Sequence, residues 1–428
     1  SRQSRQSRES RESLLNHEAT ESTRQLLTNK DNTAYTYLLQ VGSRHFEAIL
    51  DTGSFELVVL SAECKTCGWS SKLYDESLSA TFERGSLSAK HWYGSGWLQS
   101  LECRESFGNG VADVQNQSFW KVYDADMFIL RENTFQAIVG LGPPLSAISL
   151  AQGHVDLAER ELEEYRRTGS PTLQTEASVE NYRQILAHAR DIPGFVENLS
   201  LESFSICLGK AQSSDGYFVW NDDVVENKGA KTFQTVPALD GDYWSTPMSD
   251  VVMKNMPGSA SEDIHLGCQD NVCHAIFDTG TSLIMVPRSA METVSQVLQS
   301  WGELNGDCTN LHSLPDLRFK LGSERITLPP ESYVGDLYGD PDDIDQELHS
   351  YMPHLKELGK RRREQLLARR NTSENVELSH NSDNSDSGET LDDGKLLSCV
   401  PLLMSLDMST DMGQAWLFGL PFFRQYYT

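Results

Sequence analysis

Residues 48–54 read Ala-Ile-Leu-Asp-Thr-Gly-Ser, and residues 275–282 read Ala-Ile-Phe-Asp-Thr-Gly-Thr-Ser. In both stretches an apolar run leads to an aspartate, then to a glycine that permits a tight turn, and then to a residue with a hydroxyl group. The two aspartates, Asp51 and Asp278, are 227 positions apart (278 minus 51). Because one chain carries this pattern twice, we interpret the two copies as the centres of two related lobes that share one site.

Two carboxyl groups held close together suit the hydrolysis of a peptide bond. Like charges that are packed together resist simultaneous ionisation, so one carboxyl keeps its proton while the other is ionised. The ionised group can act as a general base on a water molecule, and the protonated group can act as a general acid. Neither role needs a metal or an organic cofactor, and we expect none.

The residues that follow each aspartate are predicted to support the pair. In each copy the glycine lets backbone amides approach the carboxylate, the threonine can hydrogen-bond across to the other loop, and the next hydroxyl group can donate to a carboxylate oxygen. One Asp-Thr-Gly sequence is a weak signal, whereas two, each after an apolar run and each followed by a hydroxyl residue, are a strong one. The six supporting residues are Thr52, Gly53, Ser54, Thr279, Gly280 and Thr281.

Length and charge narrow the class of protein. A chain of 428 residues can bury two cores of ordinary size, which favours two domains. It carries 62 acidic and 36 basic residues, a net charge of −26 that argues against binding to nucleic acid. No apolar run reaches the roughly 18 residues that would indicate a membrane span.

The cysteines favour the secretory pathway, and acceptor sites for glycosylation, which are common by chance, are compatible with it. The eight cysteines, an even number, are interpreted as disulfide partners in an oxidising compartment. A redox or zinc role for the Cys-x-x-Cys pair stays open, although neither a second such pair nor a nearby histidine completes a zinc site. The cysteines are Cys64, Cys67, Cys103, Cys207, Cys268, Cys273, Cys308 and Cys399, and the Asn-x-Ser/Thr sites are Asn116, Asn198 and Asn371.

Composition also divides the chain into segments. Residues 1–30 are predicted to be a disordered tail or a propeptide remnant. Residues 31–222 form the predicted N-terminal lobe, with a helical insertion at about 151–190 that either packs on the lobe or binds a partner. Residues 233–428 form the C-terminal lobe. Its charged insertion at about 338–397 is predicted to be a solvated loop or a site of maturation cleavage.

Further motifs give the chain a resemblance to the two-domain aspartic endopeptidases of the pepsin family. Residues 74–82, Tyr-Asp-Glu-Ser-Leu-Ser-Ala-Thr-Phe, resemble the segment before the family's flap, and residues 93–96, Tyr-Gly-Ser-Gly, resemble the flap tip. Residues 135–142, Phe-Gln-Ala-Ile-Val-Gly-Leu-Gly, and residues 416–427 resemble the two strands that thread behind the aspartate loops. The resemblance covers about 35–142, 195–335 and 397–428.

The resemblance implies an all-β, bilobal pepsin-like fold with an inserted helical segment. It places Asp51 and Asp278 at the floor of a cleft, under a hairpin whose residues Tyr93, Gly94 and Ser95 contact the substrate. The substrate would be a peptide or protein with apolar residues around the scissile bond, cleaved at acidic pH by a monomer. The compartment would be extracellular or of the acidic endolysosomal type.

The resemblance also implies disulfide pairings. Cys268 would pair with Cys273 in a small loop, and Cys308 with Cys399 across the C-terminal lobe. The remaining small loop would join Cys64 to Cys67. These pairs leave Cys103 and Cys207 to bond to each other.

Four features depart from the family pattern, one of which, Gln136-Ala137 in place of the usual Asp-Gly, is a mild change. Glu56 and Val58 stand where the family commonly has Asn and Trp, and that Trp normally hydrogen-bonds the flap tyrosine. The sequence also stops at Thr428, whereas relatives continue past the corresponding Tyr-Tyr pair, so we expect an incomplete C-terminal lobe. The alternative function is therefore an inactive pepsin-fold protein that binds peptides, or a truncated copy.

Overall fold

The structure is a computed structural model that describes most of the chain. The N-terminal 22 residues and most of the predicted charged insertion lie outside the described residues. The described ranges are 23–68, 72–127, 129–130, 134–211, 213–222, 233–239, 241–254, 263–269, 273–300, 308–338, 396–406, 409–410 and 413–428.

The first half of the chain forms one large sheet. Its strand order is β5-β6-β7-β4-β8-β3-β2-β1-β10-β9. The central strands β4 and β8 are short, apolar and buried along their whole length, as expected for the middle of a covered sheet. The strands are β1 Thr23–Lys30, β2 Ala34–Val41, β3 Arg44–Asp51, β4 Leu57–Leu60, β5 Glu83–Tyr93, β6 Gly96–Gly108, β7 Asp113–Met127, β8 Ala137–Gly140, β9 Phe204–Leu208 and β10 Gly216–Trp220.

The second half forms another large sheet of order β16-β15-β11-β13-β21-β14-β19. Strand β12 pairs with β11, β20 pairs with β21, and β17 and β18 form a separate pair. The fold is thus bilobal, pepsin-like and built mainly from strands. The strands are β11 Ser245–Lys254, β12 Ile264–Gly267, β13 Cys273–Phe277, β14 Ile284–Val286, β15 Asp316–Leu321, β16 Glu324–Leu328, β17 Val334–Tyr338, β18 Leu396–Pro401, β19 Leu403–Ser405, β20 Ser409–Thr410 and β21 Gly413–Phe418.

Two long helices, α1 and α2, lie in the segment predicted to be a helical insertion. The left-handed backbone of Gly169 (φ 73°) ends α1, and Thr175 caps α2 by accepting a hydrogen bond from the backbone N–H of Ser178. No helix in the described ranges is long and apolar enough to cross a lipid bilayer. The helices are α1 Ser146–Thr168, α2 Glu176–Asp191, α3 Phe195–Asn198, α4 Arg288–Ser300, α5 Pro330–Tyr333 and α6 Leu420–Gln425.

The hydrophobic cores of the two lobes meet below the repeated aspartate loops. Phe277, the residue before Asp278, packs against both cores. Helix α6 joins them as well, because Phe423 belongs to the N-terminal core and Phe422 to the C-terminal core. Apolar packing therefore fixes the two loops relative to each other.

The predicted boundary of the N-terminal tail at residue 30 is wrong. Residues 23–30 are strand β1, which pairs antiparallel with both β10 and β2, and Leu27 on this strand is buried. The partner β10 lies almost two hundred positions further along the chain, so local composition gave no sign of the pairing. The rest of the predicted tail lies outside the described residues.

Three of the four implied disulfides are confirmed, and the fourth is wrong. Cys64 bonds to Cys67, Cys268 to Cys273, and Cys308 to Cys399. Cys103 and Cys207 are free thiols. They belong to β6 and β9, which lie near opposite ends of the same sheet, so the sheet keeps them apart.

Alkylation should therefore count two free thiols per chain. Unreduced protein that is denatured in iodoacetamide is expected to gain two carbamidomethyl groups by intact mass, and reduced protein eight. In the native state Cys103 should react slowly, because it is buried and burial raises its pKa to about 11. A denatured, unreduced chain that gains none would show that the two thiols are bonded.

Candidate active site

Each aspartate lies at the end of a strand in the middle of its sheet. A second strand, β8 in the first lobe and β21 in the second, runs beside it and passes behind the aspartate loop; we call β8 and β21 the threading strands. Strand β3 runs parallel to β8, with Asp51 opposite Gly140, and β13 runs parallel to β21, with Phe277 opposite Phe418. After each Asp-Thr-Gly turn the chain returns on the other side of the threading strand, as β4 beside β8 and β14 beside β21. The repeated sequence thus forms the same loop twice.

A glycine lets each threading strand pass close to the returning loop. The N–H of Gly140 donates to the carbonyl of Glu56 at 3.0 Å, and that of Gly419 donates to the carbonyl of Leu283 at 3.1 Å. A Cβ atom at Gly140 would lie 2.6 Å from the nitrogen of Glu56, and one at Gly419 would lie 2.2 Å from the oxygen of Leu283. The matching bonds make Glu56 and Leu283 equivalent positions of the two loops.

The two loops bring Asp51 and Asp278 together. A Cβ atom placed on Gly53 would lie 2.6 Å from the carboxyl carbon of Asp278, and one on Gly280 would lie 2.4 Å from Oδ1 of Asp51. Each carboxyl group therefore rests against the glycine of the opposite turn. Glycine is required at both positions because any side chain would displace the carboxyl group.

Four hydrogen bonds hold the two carboxyl groups in matching ways. In each loop the glycine N–H donates to one carboxyl oxygen, and the hydroxyl group three residues after the aspartate donates to the other. The bonds are Gly53 N to Asp51 Oδ1 (2.9 Å), Ser54 Oγ to Asp51 Oδ2 (2.6 Å), Gly280 N to Asp278 Oδ1 (2.8 Å) and Thr281 Oγ1 to Asp278 Oδ2 (2.6 Å).

The two threonines of the turns fasten the loops to each other. The N–H of Thr52 donates to Oγ1 of Thr279 at 3.1 Å, and the N–H of Thr279 donates to Oγ1 of Thr52 at 3.0 Å. Each hydroxyl group donates in turn to a carbonyl of the opposite strand, Thr52 to Phe277 at 2.9 Å and Thr279 to Leu50 at 2.5 Å. The N–H and hydroxyl groups of Thr52 and Thr279 therefore all donate a hydrogen bond to the opposite loop.

Burial and the neighbouring carboxyl group set the protonation of this pair. Only 5% of the surface of Asp51 is exposed. Burial, followed by the negative charge of Asp278 and a hydrogen bond to it, raises the pKa of Asp51 well above its usual value. Donation from Ser54 and Gly53 opposes the shift but does not cancel it. The geometry thus suits a pair that shares one proton.

Comparison with known proteins assigns the family. The sequence profile described as "Eukaryotic aspartyl protease" matches residues 34–161 and 179–342, more than half of the chain. This chain belongs to the eukaryotic aspartyl protease family. The match leaves out residues 162–178, at the centre of the helical insertion, and the end of the chain from residue 343.

Named relatives of this aspartyl protease family member include pepsins and vacuolar proteases. Pepsin A of Gallus gallus is 27% identical over 74% of this chain and 74% of its own length. Vacuolar protease A of Arthroderma otae is 25% identical over 75% of this chain and 71% of its own length. Pepsin-2B of Gadus morhua is 24% identical over 72% and 83% respectively.

The hairpin β5–β6 carries the residues that the family resemblance assigns to the flap, and its tip lines the same cleft as the two aspartates. Its strands pair up to Tyr93 and Gly96, so Gly94 and Ser95 form the turn. The hydroxyl of Tyr93 is buried and has no hydrogen-bond partner among the described residues. Val58, which is fully buried on β4 and has no polar side-chain atom, cannot supply the bond that a tryptophan would.

A cleft of about 2190 Å³ runs between the lobes of this protease-family chain. It is lined by both aspartate loops and by the tip of the hairpin. Helices α1 and α2 also line it, through residues that include Ile148, His154 and Tyr182. The helical insertion was predicted only as a packing or partner-binding element, and its place in the cleft wall was missed because tertiary contacts decide it.

Glu56 is a second cleft residue that was not predicted as part of the site. Its side chain is 25% exposed, and burial raises its pKa to about 7. His91 on β5 lies nearby, with Nδ1 4.0 Å from a carboxyl oxygen of Glu56, and burial lowers the pKa of His91 to about 4. The sequence signal that could have identified Glu56 as a site residue was the glutamate at a position where the family commonly has asparagine.

Proposed function

We propose that this protein is an endopeptidase that uses Asp51 and Asp278 as its catalytic pair. One observation carries the proposal: carboxyl groups from the two lobes are in contact, and each is held by the same two kinds of donor. A structural role alone would not need two buried carboxyl groups to face each other, because bringing them together is costly.

The raised pKa of Asp51 supports one proton that is shared between the two carboxyl groups. The ionised member of the pair takes a proton from a water molecule as the water oxygen bonds to the carbonyl carbon of the peptide, and the protonated member gives its proton to the carbonyl oxygen. When the tetrahedral intermediate collapses, the C–N bond breaks, the nitrogen leaves with a proton from the pair, and the pair takes back a proton from one of the two hydroxyl groups as the carbonyl re-forms. This splitting of carboxyl pKa values is the established pattern of aspartic proteases as a class.

The cleft suits an extended peptide with apolar side chains around the scissile bond. Apolar residues of both lobes line it, including Ile138, Met285 and Ile326. Closure of the hairpin with Tyr93 over the peptide would exclude bulk water. We assign residues 31–222 and 233–428 to the two catalytic lobes, and we add strand β1 to the first because it pairs with β2 and β10.

The proposed setting is the secretory pathway or an acidic compartment reached from it. Three disulfides suit an oxidising environment. A shared-proton pair works at low pH, and two of the relatives are pepsins while another is named vacuolar protease A. A monomer suffices, because one chain supplies both aspartates.

Incubation with an unfolded protein tests the proposed function. Casein fragments are expected at roughly pH 4–6 and not at about pH 8, where the shared proton is lost. A peptide whose scissile bond is replaced by a hydroxyl-bearing tetrahedral group should inhibit the cleavage. Binding of that peptide without any casein cleavage between these pH values would instead indicate an inactive, peptide-binding member of the family.

Variants of Tyr93 separate its ring from its hydroxyl group. Because the hydroxyl has no partner among the described residues, Tyr93→Phe should keep kcat/KM within about threefold, whereas Tyr93→Ala should lower it about 10- to 100-fold by removing the ring from the flap. Both values are measured with one fluorogenic peptide at acidic pH. A Phe variant as damaged as the Ala variant would mean that the hydroxyl bonds to the substrate.

A further inference from the structure

Glu56 occupies a position whose backbone carbonyl, and not its side chain, makes the hydrogen bond to the threading strand that both lobes share. Its carbonyl accepts the N–H of Gly140, and the equivalent carbonyl of Leu283 accepts the N–H of Gly419 in the other lobe. One lobe thus fills this position with an acidic side chain and the other with an apolar one, at equivalent places in the same loop. The carboxyl group of Glu56 accepts from the backbone N–H groups of Phe55 and Glu56, and no lysine or arginine of the described residues pairs with it.

The carboxyl group of Glu56 faces the cleft and lacks a cation. No lysine or arginine of the described residues forms an ion pair with it within 4.0 Å, and its nearest basic neighbour is His91. His91 is buried and neutral above about pH 4, and its other ring nitrogen lies 2.7 Å from Oγ of Ser100. Lys90 is engaged elsewhere, because its Nζ lies 4.0 Å from the ring centre of Trp97.

We propose that Glu56 is a specificity-determining residue that selects substrates carrying a lysine or arginine side chain in the part of the cleft beside the flap. A bound ammonium or guanidinium group would neutralise a desolvated carboxylate that has backbone N–H donors but no lysine or arginine partner among the described residues. The aliphatic stem of the same side chain would pack on the apolar cleft wall. The inference rests on the proposed function, since it names a substrate feature of the same site.

Protonation gives the selectivity a pH dependence. The titratable groups around Glu56 include His91 and Tyr93 of the flap strand, Asp51 of the catalytic pair, and Tyr243 of the other lobe. Because burial raises the pKa of Glu56 to about 7, the empty cleft holds this group protonated at acidic pH. Glu56 must release this proton before it can pair with a bound cation, and the release costs less as the pH approaches the pKa. The preference for the basic side chain should therefore increase as the pH rises from about 5 to 7.

Binding of uncleavable peptides tests the proposal without turnover. The peptides carry a tetrahedral, hydroxyl-bearing carbon in place of the scissile bond. Each pair of peptides differs at one residue, which is arginine in one peptide and its neutral isostere citrulline in the other. One such pair is made for each position on either side of the scissile bond. At one position the native protein should bind the arginine peptide roughly tenfold or more tightly at pH 7, measured by fluorescence anisotropy. In Glu56→Gln the ratio of the two dissociation constants should fall to about 1.

A matched variant controls for the loss of negative charge. Glu83→Gln changes an exposed residue at the far end of β5, which does not line the cleft, and should keep the native ratio. A ratio near 1 at every position in the native protein, or an unchanged ratio in Glu56→Gln, would overturn the role of Glu56 even if peptides are bound and cleaved. If no peptide of the set binds, the proposed function and this inference both fail.

Discussion

Replacement of Asp51 or of Asp278 by asparagine is expected to lower kcat/KM for peptide hydrolysis about 10³- to 10⁵-fold. Asparagine keeps the shape of the side chain and can still accept from Ser54 or Thr281, but it neither takes a proton from water nor carries an acidic one. The loss should be similar for the two variants because both members of the pair act in one step. The measurement is hydrolysis of one fluorogenic peptide at acidic pH.

Stability measurements show whether the variants keep the fold. In the native protein the pKa of Asp51 is raised, so the folded state binds this proton more tightly than the unfolded state, and stability falls as the pH rises above the unfolded value. Asp51→Asn removes that penalty and should raise the melting temperature at pH 7 more than at pH 3. Asp113→Asn changes an exposed residue on β7, and it should leave the melting temperature unchanged at both pH values.

Two outcomes would contradict this account of the pair. Hydrolysis by Asp51→Asn or Asp278→Asn at near-native rates would remove both residues from the mechanism. A lower melting temperature for Asp51→Asn at pH 7 would mean that its carboxylate is stabilised by the fold, contrary to the burial and like-charge contact seen here.

The part of the site that sequence could predict is the part that is repeated. Asp-Thr-Gly after an apolar run describes a complete local structure, since the turn and the donors to the carboxyl group lie within the four residues that begin at the end of the strand. Its second copy supplies the partner loop. Reciprocal bonding between Thr52 and Thr279 then follows from the twofold relation of two equal loops.

Features that depend on distant parts of the chain were not predictable in the same way. Strand β1 was taken as part of a tail, and most of its pairing, from Thr23 to Leu27, is with β10, which is remote in sequence, while only its last three residues pair with the neighbouring β2. Pairing of Cys103 with Cys207 was inferred from the number of cysteines, although their distance is set by the order of strands in the sheet. The position of α1 and α2 in the cleft wall depends on contacts such as the 2.8 Å bond from Asn181 to the carbonyl of Ser88 on the flap strand.

The cleft is accordingly asymmetric around a symmetric pair. One lobe contributes the flap, the two long helices and Glu56, while the equivalent position of the other lobe is Leu283. The proposed catalysis needs the twofold relation because two carboxyl groups must meet. Selection of a substrate depends on the differences between the lobes, since a peptide has a direction and each of its side chains meets a different wall.

A methyl group at either glycine of the threading strands should disrupt both stability and activity. A Cβ atom at Gly140 would lie 2.6 Å from the backbone nitrogen of Glu56, and one at Gly419 would lie 2.2 Å from the carbonyl oxygen of Leu283. Backbone atoms cannot rotate away, so Gly140→Ala and Gly419→Ala should each destabilise the protein by about 1–3 kcal/mol or more. Both also displace an aspartate loop, and kcat/KM should fall at least tenfold.

The matched control is Gly153→Ala in helix α1, where a Cβ atom would meet nothing within 4 Å. Because alanine favours a helix interior over glycine, this variant should gain about 0.5–1 kcal/mol and keep its activity. Urea unfolding and peptide hydrolysis are measured on all three variants. If Gly140→Ala were as stable and active as Gly153→Ala, the close passage of β8 behind Asp51 would be ruled out, and with it the geometry that holds the two aspartates together.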